Sequence, residues 1–233
     1  MSEKAPRRRP RLIGLIVLAV VIGLLGFAIV SISIGTGTEG QIKITGAEET
    51  QSLLGGIQQD GARIGAADAE VTVQVFNDLQ CDPCSEWNRD VVVPLLRGPV
   101  RGGQIQMIYH HFPMSESGFG LAGYGAVAAA KQDDEWQFIE LFYDNQDEAK
   151  KRGVTQGFME NVGRAIINFN IEQWQNDQKD ADVQTTLEDD DKLSAERGFP
   201  AQPAVVVGGP NGSRTLTESP SLAEVQAAIA QVR

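Results

Sequence analysis

Apolar and polar positions along the chain follow two periods, and the changes between them predict the order of the elements. Residues 70–76, EVTVQVF, place three valines on one face with period two, which predicts a β-strand. Residues 219–233 carry apolar residues at helical spacing and predict a terminal helix, with Ser219 as its N-cap and Pro220 at its first position. Between them the pattern predicts a helix at 85–98, a strand at 104–112, a helical block at about 117–198 and a hairpin within 203–216.

This order predicts an α/β fold, in which a strand–helix–strand start and a hairpin–helix end are separated by a helical insertion. The domain covers residues 61–233, and its insertion lies at about 117–198. Residues 35–60 are glycine-rich and polar with little periodicity, so we predict an extracytoplasmic linker there. Pro94 is expected to kink the first helix of the domain, and the RGG of 101–103 to end it.

Residues 12–34 form an uncharged apolar run of 23 residues, and as a helix this run would reach roughly 35 Å. We predict a transmembrane helix, because a cleavable signal peptide usually has a shorter apolar region and an A-x-A-like site. The basic residues lie in 1–11, which predicts a cytoplasmic tail and an extracytoplasmic domain. The sequence therefore predicts a single-pass protein of the cell membrane.

The charge distribution bears on the partners. The net charge of the chain is −11, but residues 1–11 carry five basic residues and one acidic residue, so the remainder carries −15. An acidic domain repels phosphate backbones, so we expect no nucleic-acid partner.

The chain has only two cysteines, Cys81 and Cys84, and they form a Cys-x-x-Cys motif between a predicted strand and a predicted helix. A bond that closes so short a loop removes little chain entropy, so it would be a poor structural staple. At a helix N-terminus the backbone N–H groups and the macrodipole favour a thiolate. We therefore expect Cys81 to be an exposed nucleophile and Cys84 a shielded resolving thiol.

Four stretches together resemble the DsbA-like branch of the thioredoxin superfamily, in its membrane-anchored bacterial form. They are GARIGAADAEVTVQVFNDLQCDPC, IQMIYHHFP, AVAAAKQDDEWQFIELFYDNQ and ERGFPAQPAVVVGG. The resemblance covers roughly residues 57–232 and implies a thioredoxin-like fold with an inserted helical domain. It also implies that Pro203 follows a cis peptide bond and that the backbone of Gln202 pairs with a substrate strand.

The sequence departs from the family pattern around the cysteines. Val75 stands where thioredoxin-like enzymes commonly carry a buried acid, and Asp78 is either a proton-exchange group for Cys84 or a loop-capping residue. Pro83 stands where strongly oxidising relatives often have a histidine, and Asp82 should oppose thiolate formation at Cys81. We therefore expect a milder oxidant than the strongest members of the family.

The resemblance implies a thiol–disulfide oxidoreductase that donates its disulfide to thiols of secreted or envelope proteins. A quinone-linked membrane thiol oxidase would reoxidise it, and no cofactor or metal is expected, since the cysteine pair stores both electrons. Two alternatives stay open. One is a reductase or isomerase that uses the same residues with the electron flow reversed, and the other is a non-catalytic binding module that kept the fold.

Three other motifs favour structural interpretations. His110 and His111 could supply zinc ligands with the cysteines, but adjacent strand residues point to opposite faces. GFGLAG at 118–123 has the letters of a dinucleotide-binding loop, but no strand directly precedes it. The acidic run 188–191 lacks the spacing of a calcium loop, so we predict a solvated helical face.

Overall fold

The computed structural model describes residues 42–113 and 119–233. The predicted cytoplasmic tail at 1–11 and the predicted membrane helix at 12–34 lie outside these residues. Within the described ranges, no helix has both the length and the apolar character needed to cross a membrane. Residues Lys43–Arg233 make up one compact unit, which contains both cysteines.

A six-stranded mixed sheet forms the centre of this unit. Its spatial order is β1-β2-β4-β3-β5-β6, and only the β3–β4 pair is parallel. The strands are β1 (Gln59–Asp60), β2 (Arg63–Gly65), β3 (Val71–Asn77), β4 (Ile105–His111), β5 (Ala204–Gly209) and β6 (Gly212–Leu216).

Strand β3 is central because it lies between β4 and β5 in the sheet. The alternating Val71, Val73 and Val75 are at most 1% exposed, and Phe76 and Asn77 at its end are fully buried. The predicted strands at 70–76 and 104–112 are confirmed by β3 and β4. Because β3 and β4 are parallel, the chain between them has to cross over the sheet, and a helical segment makes this crossover.

The crossover segment runs without interruption from Asp82 to Val100. It consists of α2 (Asp82–Trp87), a π-helical turn (Asn88–Val92), α3 (Val93–Leu95) and a second π-helical turn (Leu96–Val100). A proline has no N–H to donate and its ring crowds the preceding turn. A π turn lies before Pro94 and another contains Pro99, so the chain accommodates the two prolines with widened turns. The segment ends before residues 101–103, as predicted.

In the described residues between β4 and β5 there are six helices, all within the range predicted for the helical insertion. They are α4 (Gly120–Ala130), α5 (Glu135–Asp144), α6 (Gln146–Arg152), α7 (Gln156–Arg164), α8 (Ile171–Asp177) and α9 (Ala181–Arg197). Trp136, Phe142, Phe158 and Trp174 are fully buried and form part of the core of these helices. Trp174 Nε1 donates to Gly125 O at 2.7 Å and so joins α8 to α4.

Two histidines at the end of β4 connect the sheet to the insertion. His110 Nδ1 lies 2.6 Å from Asp190 Oδ1, and His111 Nε2 lies 2.9 Å from Glu135 Oε1. Asp190 Oδ2 also accepts from the His111 backbone N–H at 2.8 Å. The prediction that 188–191 is a solvated face is therefore wrong at Asp190, which is only 8% exposed.

The structure differs from the predicted pattern at both ends of the domain. Helix α1 (Ala47–Leu54) lies inside the predicted linker range of 35–60, and Leu54 at its end is 1% exposed. The helix at the chain end is α10 (Leu222–Val232), and its N-cap is Ser221 rather than Ser219. Ser221 is the N-cap because it forms a capping box with Glu224, three residues later; Ser219 has no such partner at that spacing. The predicted hairpin of β5 and β6 is confirmed.

Candidate active site

Cys81 and Cys84 form a disulfide at the start of the crossover segment, with their Cα atoms 5.3 Å apart. Cys81 is the N-cap of α2 and has an extended backbone, with φ −77° and ψ 123°. Its side chain is partly exposed, whereas Cys84 is fully buried. The expected difference in exposure is present, and the roles of nucleophile and resolving thiol are consistent with it.

The loop before Cys81 is held by hydrogen bonds around Asp78. Asp78 Oδ1 accepts from the Gln80 backbone N–H at 2.8 Å, and Asp78 O accepts from the Cys81 N–H at 3.2 Å. Tyr143 OH in α5 also donates to Asp78 O at 3.2 Å. These hydrogen bonds support the interpretation of Asp78 as a loop-capping residue. Proton exchange between Asp78 and Cys84 stays a prediction.

Gln146 is a positioning residue that the sequence did not indicate. Its Nε2 donates to Leu79 O at 2.7 Å and to Cys81 O at 2.9 Å, and the residue is 4% exposed. One amide at the start of α6 therefore holds the backbone on both sides of Gln80. No local pattern signals this role, because the contact joins residues 65 positions apart.

Asp82 has a partner that changes the electrostatics of the motif. Lys150 Nζ lies 3.0 Å from Asp82 Oδ1, and the two side chains are 40% and 71% exposed. The sequence predicted that the Asp82 carboxylate opposes a Cys81 thiolate. A cation from α6 now lies beside that carboxylate, so the repulsion is weaker than the motif alone indicates.

The peptide bond between Gln202 and Pro203 is cis, as predicted. Pro203 directly precedes β5, whose first residue, Ala204, pairs with Phe76 in β3. Since β3 and β5 are antiparallel, the start of β5 lies at the end of β3, which is the end that leads to Cys81. The topology therefore brings the cis bond and the disulfide to one edge of the sheet. Substrate docking at Gln202 stays a prediction.

A groove of about 320 Å³ runs between the crossover segment and the start of α10. Its lining residues are Pro83, Glu86, Trp87, Asp90, Val91, Ser219, Pro220, Ser221 and Leu222. Trp87 Nε1 donates to Pro220 O at 2.7 Å, which joins the crossover segment to the residues before α10. Pro83 of the motif therefore borders a surface that carries two acidic side chains.

The interior near the motif contains ionisable groups from α5 and β4. Val75 in β3 is 1% exposed and offers no carboxyl, as the sequence indicated. Glu140 is 4% exposed, and burial raises its pKa from 4.5 to about 8. Burial also raises the pKa of Tyr109 and Tyr143 well above 10, and their hydroxyl oxygens lie 2.9 Å apart. The two phenols therefore stay neutral across the physiological range.

The fold and the half-exposed Cys-x-x-Cys disulfide at a helix N-terminus define a thiol–disulfide oxidoreductase of the thioredoxin superfamily. A family model described as thioredoxin matches residues 58–231. The chain belongs to this thioredoxin family.

Individual relatives place the chain near the DsbA-like branch. It is 24% identical over 197 residues to a probable disulfide bond formation protein D of Bacillus cereus, covering 83% of this chain and 84% of that protein. The oxidised crystal structure of BdbD from Bacillus subtilis matches with a TM-score of 0.64 at 20% identity, over 74% of this chain and 92% of BdbD. The structure of alpha-DsbA1 from Wolbachia pipientis matches with a TM-score of 0.62 at 16% identity, over 73% of this chain and 89% of alpha-DsbA1. The resemblance to the DsbA-like branch of the thioredoxin superfamily is confirmed.

Proposed function

We propose that this protein is a membrane-anchored extracytoplasmic oxidant, which transfers the Cys81–Cys84 disulfide to thiols of secreted or envelope proteins. The asymmetry of the pair carries the proposal: Cys84 is fully buried, whereas Cys81 is partly exposed at the N-cap of α2. The name of the Bacillus cereus relative, disulfide bond formation protein D, supports the direction of the transfer.

The reaction follows from this asymmetry. A substrate thiolate attacks Cys81 Sγ, the Cys81–Cys84 bond breaks, and its electron pair leaves on the sulfur of Cys84, which takes up a proton. A second substrate thiolate then attacks the substrate sulfur of the mixed disulfide and releases Cys81 as a thiolate. The substrate is oxidised by two electrons, and the cysteine pair is reduced by two.

Each surrounding contact has a place in this reaction. The N–H groups at the start of α2 favour the released thiolate, and Gln146 holds the backbone of Cys81 as the sulfur changes partners. The backbone of Gln202, beside the cis bond, would pair with an extended substrate strand next to the reacting cysteine. No cofactor is needed for this chemistry, because the electrons stay on sulfur.

Oxidation of a peptide dithiol tests the function. The purified full-length protein, oxidised and held in mild detergent, should convert one equivalent of a two-cysteine peptide to its disulfide. Cys81→Ser should abolish the reaction, and Cys84→Ser, when given the disulfide form of the peptide, should form a mixed disulfide at Cys81 and release the other peptide sulfur as a thiolate. Activity that survives Cys81→Ser would refute the assigned nucleophile, and inactivity of the wild-type protein would favour a binding module.

A reductase is the second candidate, because Pro83 gives the motif a thioredoxin-type dipeptide. Equilibration with a glutathione redox buffer separates the two directions, because it gives the reduction potential. A potential near about −270 mV, the value of thioredoxin, would favour the reductase, whereas one above about −180 mV would favour the oxidant.

We propose that the apolar run at 12–34 anchors the protein in the cell membrane with the domain outside, where a quinone-linked thiol oxidase would reoxidise Cys81 and Cys84. The uncharged run and its basic N-terminal flank support this topology. Because the chain has no other cysteine, a membrane-impermeant maleimide tests it directly. The reagent should label Cys81 in intact, mildly reduced cells, and the product should sediment with membranes. Labelling only after lysis would contradict the topology.

A further inference from the structure

The resolving cysteine has a proton requirement that β3 does not meet. When the disulfide opens, Cys84 leaves as a thiolate inside the protein, where it is fully buried. A buried anion is costly unless it is neutralised, so the sulfur must gain a proton early in the reaction. Val75 cannot supply one, since its side chain is apolar.

A carboxyl group from the helical insertion contacts Asn88, the residue one helical turn after Cys84. The backbone N–H of Asn88 donates to Cys84 O, so Asn88 follows Cys84 on the same face of the crossover segment. Asn88 Nδ2 lies 3.1 Å from both Oε1 and Oε2 of Glu140 in α5. Helical side chains lean toward the N-terminus, so the Asn88 side chain points back toward the turn that carries Cys84.

The surroundings keep the Glu140 carboxyl protonated at neutral pH. Burial raises its pKa most, the hydrogen bond from Asn88 lowers it, the negative charge of Asp144 raises it and the cation of Arg97 lowers it, and together they give a pKa of about 8. Of these, Asp144 lies one turn further along α5, and Arg97 comes from the crossover segment. Tyr143, the other ionisable neighbour on α5, stays neutral. Glu140 is thus a proton donor enclosed in the core.

The hydrogen bonds of Asn88 also indicate that Glu140 is protonated. Its Oδ1 is buried and accepts no hydrogen bond within the described residues, while both Glu140 oxygens lie on its Nδ2. A protonated carboxyl offers an O–H donor that a carboxylate lacks. Rotation of the carboxyl and the amide would then pair O–H with Oδ1 and Nδ2–H with the other oxygen. A neutral Glu140 therefore satisfies Asn88 better than an ionised one.

We propose that Glu140 holds the proton that Cys84 takes up when the disulfide is reduced, and that the ionised form of Glu140 accepts the proton when Cys84 attacks a mixed disulfide at Cys81. This proposal rests on the proposed function. In the first direction the electron pair of the broken bond goes to the Cys84 sulfur, Glu140 loses its proton to that sulfur, and the carboxylate is reprotonated from solvent.

The transfer is favourable in the reducing direction. A thiol buried in apolar surroundings has a pKa above its ordinary value of about 8.5, whereas that of Glu140 is about 8. The sulfur is the stronger base of the two, so the proton moves from the carboxyl to the sulfur. The small gap also lets it return when Cys84 attacks.

Glu140→Gln tests the proposal through the pH dependence of reduction by a peptide thiol. In the wild-type protein the rate, divided by the thiolate fraction of the peptide, should fall above about pH 8, where Glu140 is ionised. The variant should lose this inflection and react about 10²-fold more slowly at pH 7, the lower end of the usual general-acid contribution. Glu135→Gln is the matched control, a second buried carboxyl on α5 that pairs with His111. Its profile should keep the inflection.

A second variant keeps the carboxyl and removes its hydrogen-bond donor. Asn88 lowers the pKa of Glu140, so Asn88→Ala should move the inflection to higher pH. An inflection that stays in place in this variant, or that survives in Glu140→Gln, would overturn the proposal. Failure of the wild-type protein to exchange disulfides at any pH would instead refute the proposed function, so the two failures are distinguishable.

Discussion

Replacing Gln146 with alanine tests how the helical insertion supports the redox motif. The substitution removes two buried hydrogen bonds, to Leu79 O at 2.7 Å and to Cys81 O at 2.9 Å. Cys81 O also accepts from the Cys84 N–H at 3.3 Å. Among the described residues, the carbonyl of Leu79 has no second donor to replace Gln146. A buried acceptor left without a donor costs about 1–3 kcal/mol.

The size of the effect follows from these contacts. Gln146 Oε1 is buried without a hydrogen bond among the described residues, so its removal recovers part of the loss. We therefore expect Gln146→Ala to lower the free energy of unfolding by about 2 kcal/mol. For a domain of this size, that corresponds to a fall in Tm of about 4–8 °C.

Urea and thermal unfolding of the oxidised protein measure this change. Gln184→Ala is the control, because Gln184 is an exposed glutamine of α9. Its side chain donates a hydrogen bond to Glu188 on the same helix. It should change the free energy of unfolding by less than about 0.5 kcal/mol. If Gln146→Ala is as stable as this control, the amide does not hold the loop, and the inference about its positioning role is wrong.

Three further predictions concern other contacts. Lys150→Met should leave the Asp82 carboxylate without its cation beside Cys81 and lower the reduction potential. The expected change is about 10–20 mV, because exposed ion pairs contribute at most about 1 kcal/mol. Equilibration with glutathione measures the potential, and a higher potential in the variant would contradict the argument. Ser221→Ala should cost about 1 kcal/mol of unfolding free energy and Ser219→Ala less, as chemical denaturation will report; the reverse order would contradict the observed N-cap. Because the pKa of Glu140 is raised from 4.5 to about 8 by folding, the free energy of unfolding should fall between about pH 4.5 and 8 and level off above. Denaturation curves recorded across this pH range should show that Glu140→Gln lacks this fall. A variant whose stability depends on pH as strongly as the wild-type protein would contradict a buried, neutral Glu140.

The sequence predicts the parts of the site that local patterns encode. The alternating valines of β3 give the central strand, and the spacing of Cys81 and Cys84 after that strand gives the disulfide. The cis bond before Pro203 follows from the resemblance, which matches a proline directly before an apolar strand. These features depend on residues close together in the chain, so one sequence is enough to find them.

The residues that the sequence missed act over long separations. Gln146 reaches Cys81 across 65 positions, and Asn88 reaches Glu140 across 52. Lys150 meets Asp82 only because α6 packs beside the motif. An amide, a lysine or a glutamate in a helical block looks like a surface residue until the tertiary packing is known. The capping error had a local cause, since two serines flank Pro220 and only Ser221 has Glu224 three residues later.

The helical insertion therefore supplies side chains that contact the redox motif and the loop before it. Tyr143, Gln146 and Lys150 all come from it, and each reaches the loop or the turn that carries the cysteines. Chimaeras that exchange this block between relatives should consequently inherit the redox character of the donor of the block, even when every letter of the Cys-x-x-Cys motif is kept. Variation far from the motif in sequence thus offers a route by which such proteins diversify their chemistry without altering the cysteines or the residues between them.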